Sequence, residues 1–294
     1  MSACAWCGAP LDETSVPLPG RRRCAVCGVA TTHPWPDDET LAGAYGSWYR
    51  PDTGRFAGPG DRLLRRTRGL LARRLDELAP AGKVLDVGAG DGALLDALHA
   101  QGRQAIGLER ASTRPDVIAG EVSELDEPFA AIVFWHSLEH LRTPGAALAR
   151  AAQLLVPDGW LVIAVPNAGS LQAWVFGERW FALDIPRHLV HIPAGALIRR
   201  LTELGLRIER VSHLRGGQGV FGWLHGFVGW LPGRPDLYDV IRRPEARRTP
   251  LTSRRRVALL LAAVALLPLA VVMSAAEAAL RRGGTVYVEA RRPA

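Results

Sequence analysis

The chain has no cysteine beyond residue 27, a single lysine, Lys83, and no opening segment with a basic start and an apolar core. The last absence argues against export, so the body of the protein is expected in the cytoplasm. Thiols stay reduced there, and cysteines grouped in pairs read as metal ligands rather than disulfides. With one lysine, nearly all of the 36 basic residues are arginine, and the net charge of +7 fits an anionic membrane surface or nucleic acid without choosing between them. No internal repeat divides the 294 residues, which suffice for one α/β domain of roughly 200 residues with small appendages.

Four segments can be told apart. Residues 1–36 hold Cys4-Ala-Trp-Cys7 and Cys24-Ala-Val-Cys27, two knuckles able to close a tetrahedral zinc site as a zinc ribbon. Four thiolates leave no open position, so the zinc expected on Cys4, Cys7, Cys24 and Cys27 is structural. Gly8 and Gly28 follow the knuckles, where a tight turn is needed. Residues 37–60, rich in Pro, Gly and Asp, read as a linker. Residues 61–212 and 285–294 read as one domain, and residues 213–284 as an insertion before its last strand.

The main domain opens on an amphipathic helix from Asp61 to Leu78, with Leu63, Leu64, Leu70, Leu71, Leu75 and Leu78 at near-helical spacing. Strands are expected at 83–88, 104–109, near 116–119, and at 130–135, 160–165, 206–212 and 285–290. Helices at 91–101, 144–155 and 193–204 alternate with them, which predicts an α/β, doubly wound, mostly parallel sheet.

The run Lys83-Val-Leu-Asp-Val-Gly-Ala-Gly-Asp-Gly92 is an apolar strand entering a glycine turn and then a helix. Such a turn lets the backbone approach a ligand at the carboxyl edge of the sheet. A dinucleotide fingerprint would read GxGxxG, whereas this turn reads DxGxGxG, and the Asp86 carboxylate would repel a diphosphate but suits a cationic ligand. Glu109, at the tip of the next strand, can accept both hydroxyls of a ribose.

These residues, with Phe134-Trp-His-Ser-Leu-Glu-His-Leu-Arg-Thr-Pro144 and Leu155-Val-Pro-Asp-Gly-Trp-Leu-Val-Ile-Ala-Val-Pro-Asn167, resemble class I S-adenosylmethionine-dependent methyltransferases, in particular the quinone-biosynthesis and related small-molecule O-methyltransferases. The resemblance runs from about Lys83 to Val211 and resumes at Thr285. It implies a seven-stranded Rossmann-like fold with S-adenosylmethionine as methyl donor. It also implies that Gly88, Ala89 and Gly90 line the methionine part, Glu109 holds the ribose, Glu121 and Val122 border the adenine, and Trp135 and His136 flank the sulfonium.

Methyl transfer is an in-line displacement, and a base is needed only where the acceptor must lose a proton. Histidines titrate near neutrality, and His136 and His188 are the candidates for that role; His140 and Glu139 are expected to brace the helix and loop. The aromatic segment Gly169 to Pro193, with Trp174, Phe176, Trp180 and Phe181, is expected to cover the pocket of an apolar or ring-bearing acceptor.

Val257 to Ala276 carries no charge and is long enough to span a bilayer, with Pro268 expected to kink it. Both ends of the insertion must return to one sheet, which excludes a single crossing. The arginines at 254–256 and 281–282 place both flanks on the cytoplasmic side. With Gly219 to Leu231 as a second, interfacial apolar stretch, re-entrant or in-plane helices at the inner membrane face are expected. Two further readings compete with a small-molecule methyltransferase at a membrane surface: an RNA base methyltransferase using its zinc ribbon for recognition, and a non-catalytic zinc-bearing scaffold of the same fold.

Overall fold

The computed structural model describes residues 3–45, 60–214 and 217–294. Residues 46–59, the greater part of the expected linker, lie outside them, as do the side chains of Leu63 and Leu64. The chain opens with two matching knuckles. Gly8 N–H donates to Cys4 O at 2.9 Å and Gly28 N–H to Cys24 O at 3.0 Å, and both glycines sit at positive φ, +76° and +77°. Strands β1 (Val16–Leu18), β2 (Arg21–Arg23) and β3 (Ala30–Thr32) form an antiparallel meander after the first knuckle. Helix α1 (Asp38–Ala44) then stands where the composition reads as linker; Asp37 caps it by accepting from Thr40 N–H.

Helix α2 (Gly60–Leu78) leads into β4 (Val84–Val87), α3 (Ala93–His99), β5 (Ala105–Glu109), β6 (Val117–Ala119), β7 (Phe129–Trp135), α4 (Pro144–Leu154) and β8 (Leu155–Pro166). Strand β8 starts earlier than expected and loops out between Leu155 and Trp160 before pairing regularly with β7. Then come α5 (Leu171–Phe176), β9 (Val190–His191), α6 (Ala194–Glu203), β10 (Arg207–Ser212), α7 (Gly217–Gly229), α8 (Leu237–Ile241), α9 (Ser253–Ala279) and β11 (Thr285–Arg291).

Seven strands form one sheet in the order β10-β11-β8-β7-β4-β5-β6, with β11 antiparallel to both neighbours and the remaining pairs parallel. Strand β4 is buried at all of its positions, as a strand covered on both faces must be. One face carries Leu71, Leu75, Leu94, Leu95 and Leu98 from α2 and α3. The other carries Leu148, Leu154 and Leu197 from α4 and α6 together with Trp6, Leu11 and Val29 of the ribbon. The ribbon therefore shares the main core. Gly145 leaves room for it: a Cβ there would stand 1.9 Å from Trp6 O.

A second join is made by hydrogen bonds. Strand β9 adds to the ribbon meander beside β3, with Ala30 opposite His191 and Thr31 opposite Val190. Thr32 N–H donates to Leu189 O at 2.9 Å, and its hydroxyl to His188 O at 2.7 Å.

The insertion is a helical hairpin standing on the carboxyl edge of the sheet. Its base is fixed where β8 ends and β11 begins: Asn167 Nδ2 donates to Gly283 O at 3.0 Å, and Gln172 Nε2 to Gly219 O and Glu277 Oε1 at 3.0 and 2.8 Å. Helix α7 packs one side inward, while Trp230 just past its end is 51% exposed. Its glycines 222 and 226 bring Gln172 and Phe176 against its backbone, and Trp223 is 1% exposed in a cluster with Phe176, Trp180 and Ala270. Helix α9 runs unbroken for 27 residues past Pro268, about 40 Å. That continuity rules out a turn within it, and hence a re-entrant hairpin built from residues 257–276 alone. Leu259, Ala263, Ala270, Ser274 and Glu277 form its buried stripe, while Val257, Leu261, Val264, Leu267, Leu269, Val271 and Val272 face outward.

Candidate active site

The glycine turn follows β4 and is tied to the neighbouring strand, since Gly88 and Ala89 N–H groups both donate to Leu108 O, at 2.7 and 3.2 Å. Gly88, Gly90 and Gly92 all have positive φ, between +63° and +80°. At Gly88 the need for glycine is also steric, because a Cβ would lie 2.4 Å from Ser137 Cβ. Glu109 Oε2 accepts from Gly90 N–H at 3.1 Å, so the sequence-predicted carboxylate does meet the turn. Gly120 N–H donates to Glu109 O at 3.1 Å, which brings Glu121 and Val122 to the same edge; Glu121 is exposed and Val122 is buried in the core. Trp135 and His136 end β7, the strand on the other side of β4. The predicted donor residues thus converge on the carboxyl ends of four adjacent parallel strands, where open α/β sheets bind ligands.

Electrostatics favour a cation there. Asp86 is 5% exposed, and burial pushes its carboxyl up to about 7, with Arg68 opposing and Glu109 and Asp91 adding to the rise. A positive ligand would relieve that cost. Arg68, from α2, was not singled out by sequence; its guanidinium carbon lies 4.9 Å from the Trp135 ring centroid.

Both candidate bases approach one buried carboxylate. Glu139 is 2% exposed, with His136 Nδ1 at 3.5 Å and His188 Nε2 at 3.9 Å from its Oε1. Burial raises the Glu139 carboxyl, but His136, His140 and His188 outweigh it and hold the group at about 2. His136 sits in the left-handed region at φ +53° with a quarter of its side chain exposed. Its Nε2 lies 2.9 Å from Gln218 Nε2 and 3.3 Å from Oε1, so the first turn of α7 touches it. His188 is 8% exposed, with Nδ1 2.8 Å from Ala182 O. His140 Nδ1 is 2.9 Å from both Tyr45 Oη and Arg187 O, the bracing role expected of it. Sequence reasoning missed Gln218 because nothing in its surroundings marks it; the fold alone brings it to His136.

The aromatic segment after β8 mostly packs. Phe176 and Trp180 are buried, Phe181 meets Phe221 edge-to-face and His225 and Tyr238 at a tilt, and Trp174 is 76% exposed.

At the other end of the chain the four Sγ atoms lie within 4.8 Å of one another. Cys4 to Cys27 is 3.7 Å and Cys7 to Cys24 is 3.8 Å. A tetrahedral zinc with ~2.3 Å metal–sulfur bonds has sulfur–sulfur edges of ~3.8 Å, so this donor set could hold it.

A family model described as a methyltransferase domain matches residues 61–211, leaving the ribbon and the insertion outside the match. Among relatives, a ubiquinone biosynthesis O-methyltransferase of Thiobacillus denitrificans is 28% identical over 49% of this chain and 73% of its own length. The protein of the same name from Xylella fastidiosa is 28% identical over 45% of this chain and 64% of its own. The structure of a SAM-dependent methyltransferase from Archaeoglobus fulgidus superposes with a TM-score of 0.45 at 16% identity, covering 76% of this chain and 94% of that one.

Proposed function

The chain belongs to the methyltransferase-domain family and is an S-adenosylmethionine-dependent methyltransferase, and from that premise we propose that it methylates a hydroxyl of a small, lipophilic acceptor taken from the cytoplasmic membrane surface. When bound, the donor supplies a methyl group on a positively charged sulfur. Gly88, Ala89 and Gly90 form the cradle, Glu109 takes the ribose hydroxyls, Glu121 and Val122 flank the adenine, and the Asp86 carboxylate and Trp135 favour a cation.

The observation that carries the O-methylation reading is His136, held between the Glu139 carboxylate and Gln218 at the tip of β7. Gln218 rests against His136 Nε2, so an acceptor hydroxyl would have to take its place there; with Glu139 near Nδ1, the imidazole could then receive the hydroxyl proton at Nε2, and the imidazolium so formed would be stabilised by the carboxylate. His188 is more enclosed, and its Nδ1 is committed to Ala182 O. We therefore assign the base to His136 and a positioning role to His188. With catechol as acceptor, His136→Asn should lower kcat by about a hundredfold with donor affinity unchanged, and His188→Asn by much less. Unchanged turnover in His136→Asn would remove the base from this account.

Membrane association rests on α9. A surface helix of a soluble protein turns a polar face to water, whereas this one presents seven large aliphatic side chains outward. A perpendicular crossing would send the arginine-rich stretch from Arg242 to Arg256 to the far side, so the helix is read as lying in the interface plane. Structural zinc on Cys4, Cys7, Cys24 and Cys27 completes the reading.

A further inference from the structure

Between the ribbon and the segment after β8 lies a groove of about 450 Å³, outside the donor crevice. Three guanidiniums from two distant parts of the chain line it: Arg21 and Arg23 from β2, and Arg282 from the turn between α9 and β11. Arg21 and Arg23 are two residues apart on a strand and so project from the same face, while Arg22 points away and donates to Asp12 O.

Some arginines of this chain pair with acids, as in Arg74 with Glu289, Arg114 with Asp116 and Arg150 with Asp126. Those of the groove do not. No acidic residue lines it; Glu178, next to the lining residue Gly177, acts on Arg21 without an ion pair, and among the described residues none of the three arginines forms one. Two of them are pre-aimed by backbone carbonyls: Arg21 Nη1 donates to Pro19 O at 3.0 Å and Arg282 Nε to Gly169 O at 3.2 Å. The positive field reaches His191 on the groove wall, whose imidazole burial, then His188 and Arg21, push down to about 3. Trp174 stands at the groove with its indole 76% exposed.

We propose that this groove binds a phosphate or diphosphate ester, with Arg21, Arg23 and Arg282 on the phosphate oxygens and Trp174 against the apolar remainder of the ligand. A singly charged carboxylate would leave most of the positive charge unmatched, whereas the guanidinium fork fits phosphate oxygens in pairs. Because the site draws on the ribbon, the segment after β8 and the root of α9, it forms only when all three are docked. The phosphate could come from a soluble phosphorylated compound or from a lipid headgroup, and the same chemistry serves both.

The test uses the full zinc-loaded chain, with inorganic pyrophosphate titrated by calorimetry and S-adenosylmethionine titrated in parallel. Wild type should bind pyrophosphate, and R21Q/R23Q and R282Q should each weaken it about tenfold or more, with donor affinity unchanged. Retained donor binding shows that a variant is folded and separates failure of this site from failure of the methyltransferase reading. Phosphatidylcholine vesicles with and without phosphatidic acid distinguish the sources. Pyrophosphate-sensitive binding to the phosphatidic acid vesicles alone identifies a headgroup site; pyrophosphate binding without it identifies a soluble ligand. Absence of pyrophosphate binding, equal binding by wild type and both variants, or arginine-dependent retention of RNA with no response to pyrophosphate would each overturn the proposal.

Discussion

Two histidines set how this protein meets acid. Burial lowers His140 from 6.5 to about 4 and His191 to about 3, so both stay neutral in the fold. Unfolded, each takes up a proton below 6.5, so the unfolded state binds more protons and stability falls as pH drops from 6.5 towards those folded values. Each residue accounts for up to about 1.4 kcal/mol per pH unit within its window. Glu139, depressed from 4.5 to about 2, contributes stability that is intact above 4.5 and lost only as pH falls from there towards 2. Asp86 and Glu277, raised to about 7 and about 6, act in the opposite direction over the same range, so the histidine share is read as a difference: between pH 6.5 and 4.5 His191→Gln should lose less melting temperature than the wild type. An unchanged slope in that variant would show that His191 does not stay neutral. At this scale Glu109 was legible, because it lies at the same edge as the glycine turn one parallel strand away. Gln218 was not, since its meeting with His136 depends on how a whole insertion folds back.

At the level of elements, the strands that could be read were those whose order comes from burial. Strands β4, β5 and β7 are apolar runs bounded by glycines or charges, and their limits fall within a residue or two of those expected. Strand β2 is Arg21-Arg22-Arg23, a run that no propensity would make a strand. Its order comes from pairing on both sides and from the knuckles beside it. The inward packing of α7 at Trp223 was not legible, because tryptophans mark buried helices as readily as membrane edges, and the glycines that let Gln172 and Phe176 close on it carry no such label. The knuckles lead to a direct prediction. Cys24→Ser should abolish stoichiometric zinc, counted by metal analysis, and lower the melting temperature of the whole domain rather than of a separate module, because Trp6 and Val29 sit in the main core. A melt with an unaltered main transition would show the ribbon to be energetically independent.

For the molecule as a whole, the proposed membrane location rests on one helix. The outward face of α9 is as apolar as its buried stripe, and Arg254 to Arg256 and Arg281 to Arg282 flank its two ends. Replacing Leu261 and Val264, 65% and 68% exposed, by Asp should abolish co-sedimentation with anionic vesicles and leave donor binding intact, since neither side chain packs inside. Persistent sedimentation would place the contact elsewhere. The pairing of β3 with β9 governs the order of assembly during synthesis. Ala30 to Thr32 leave the ribosome early, yet their hydrogen-bonding partners, Val190 and His191, are made only after most of the large sheet has been translated. Until then the nascent chain carries an open strand edge able to capture a neighbouring chain, so the cysteine-bearing meander is sealed only once the ribosome has made Val190 and His191.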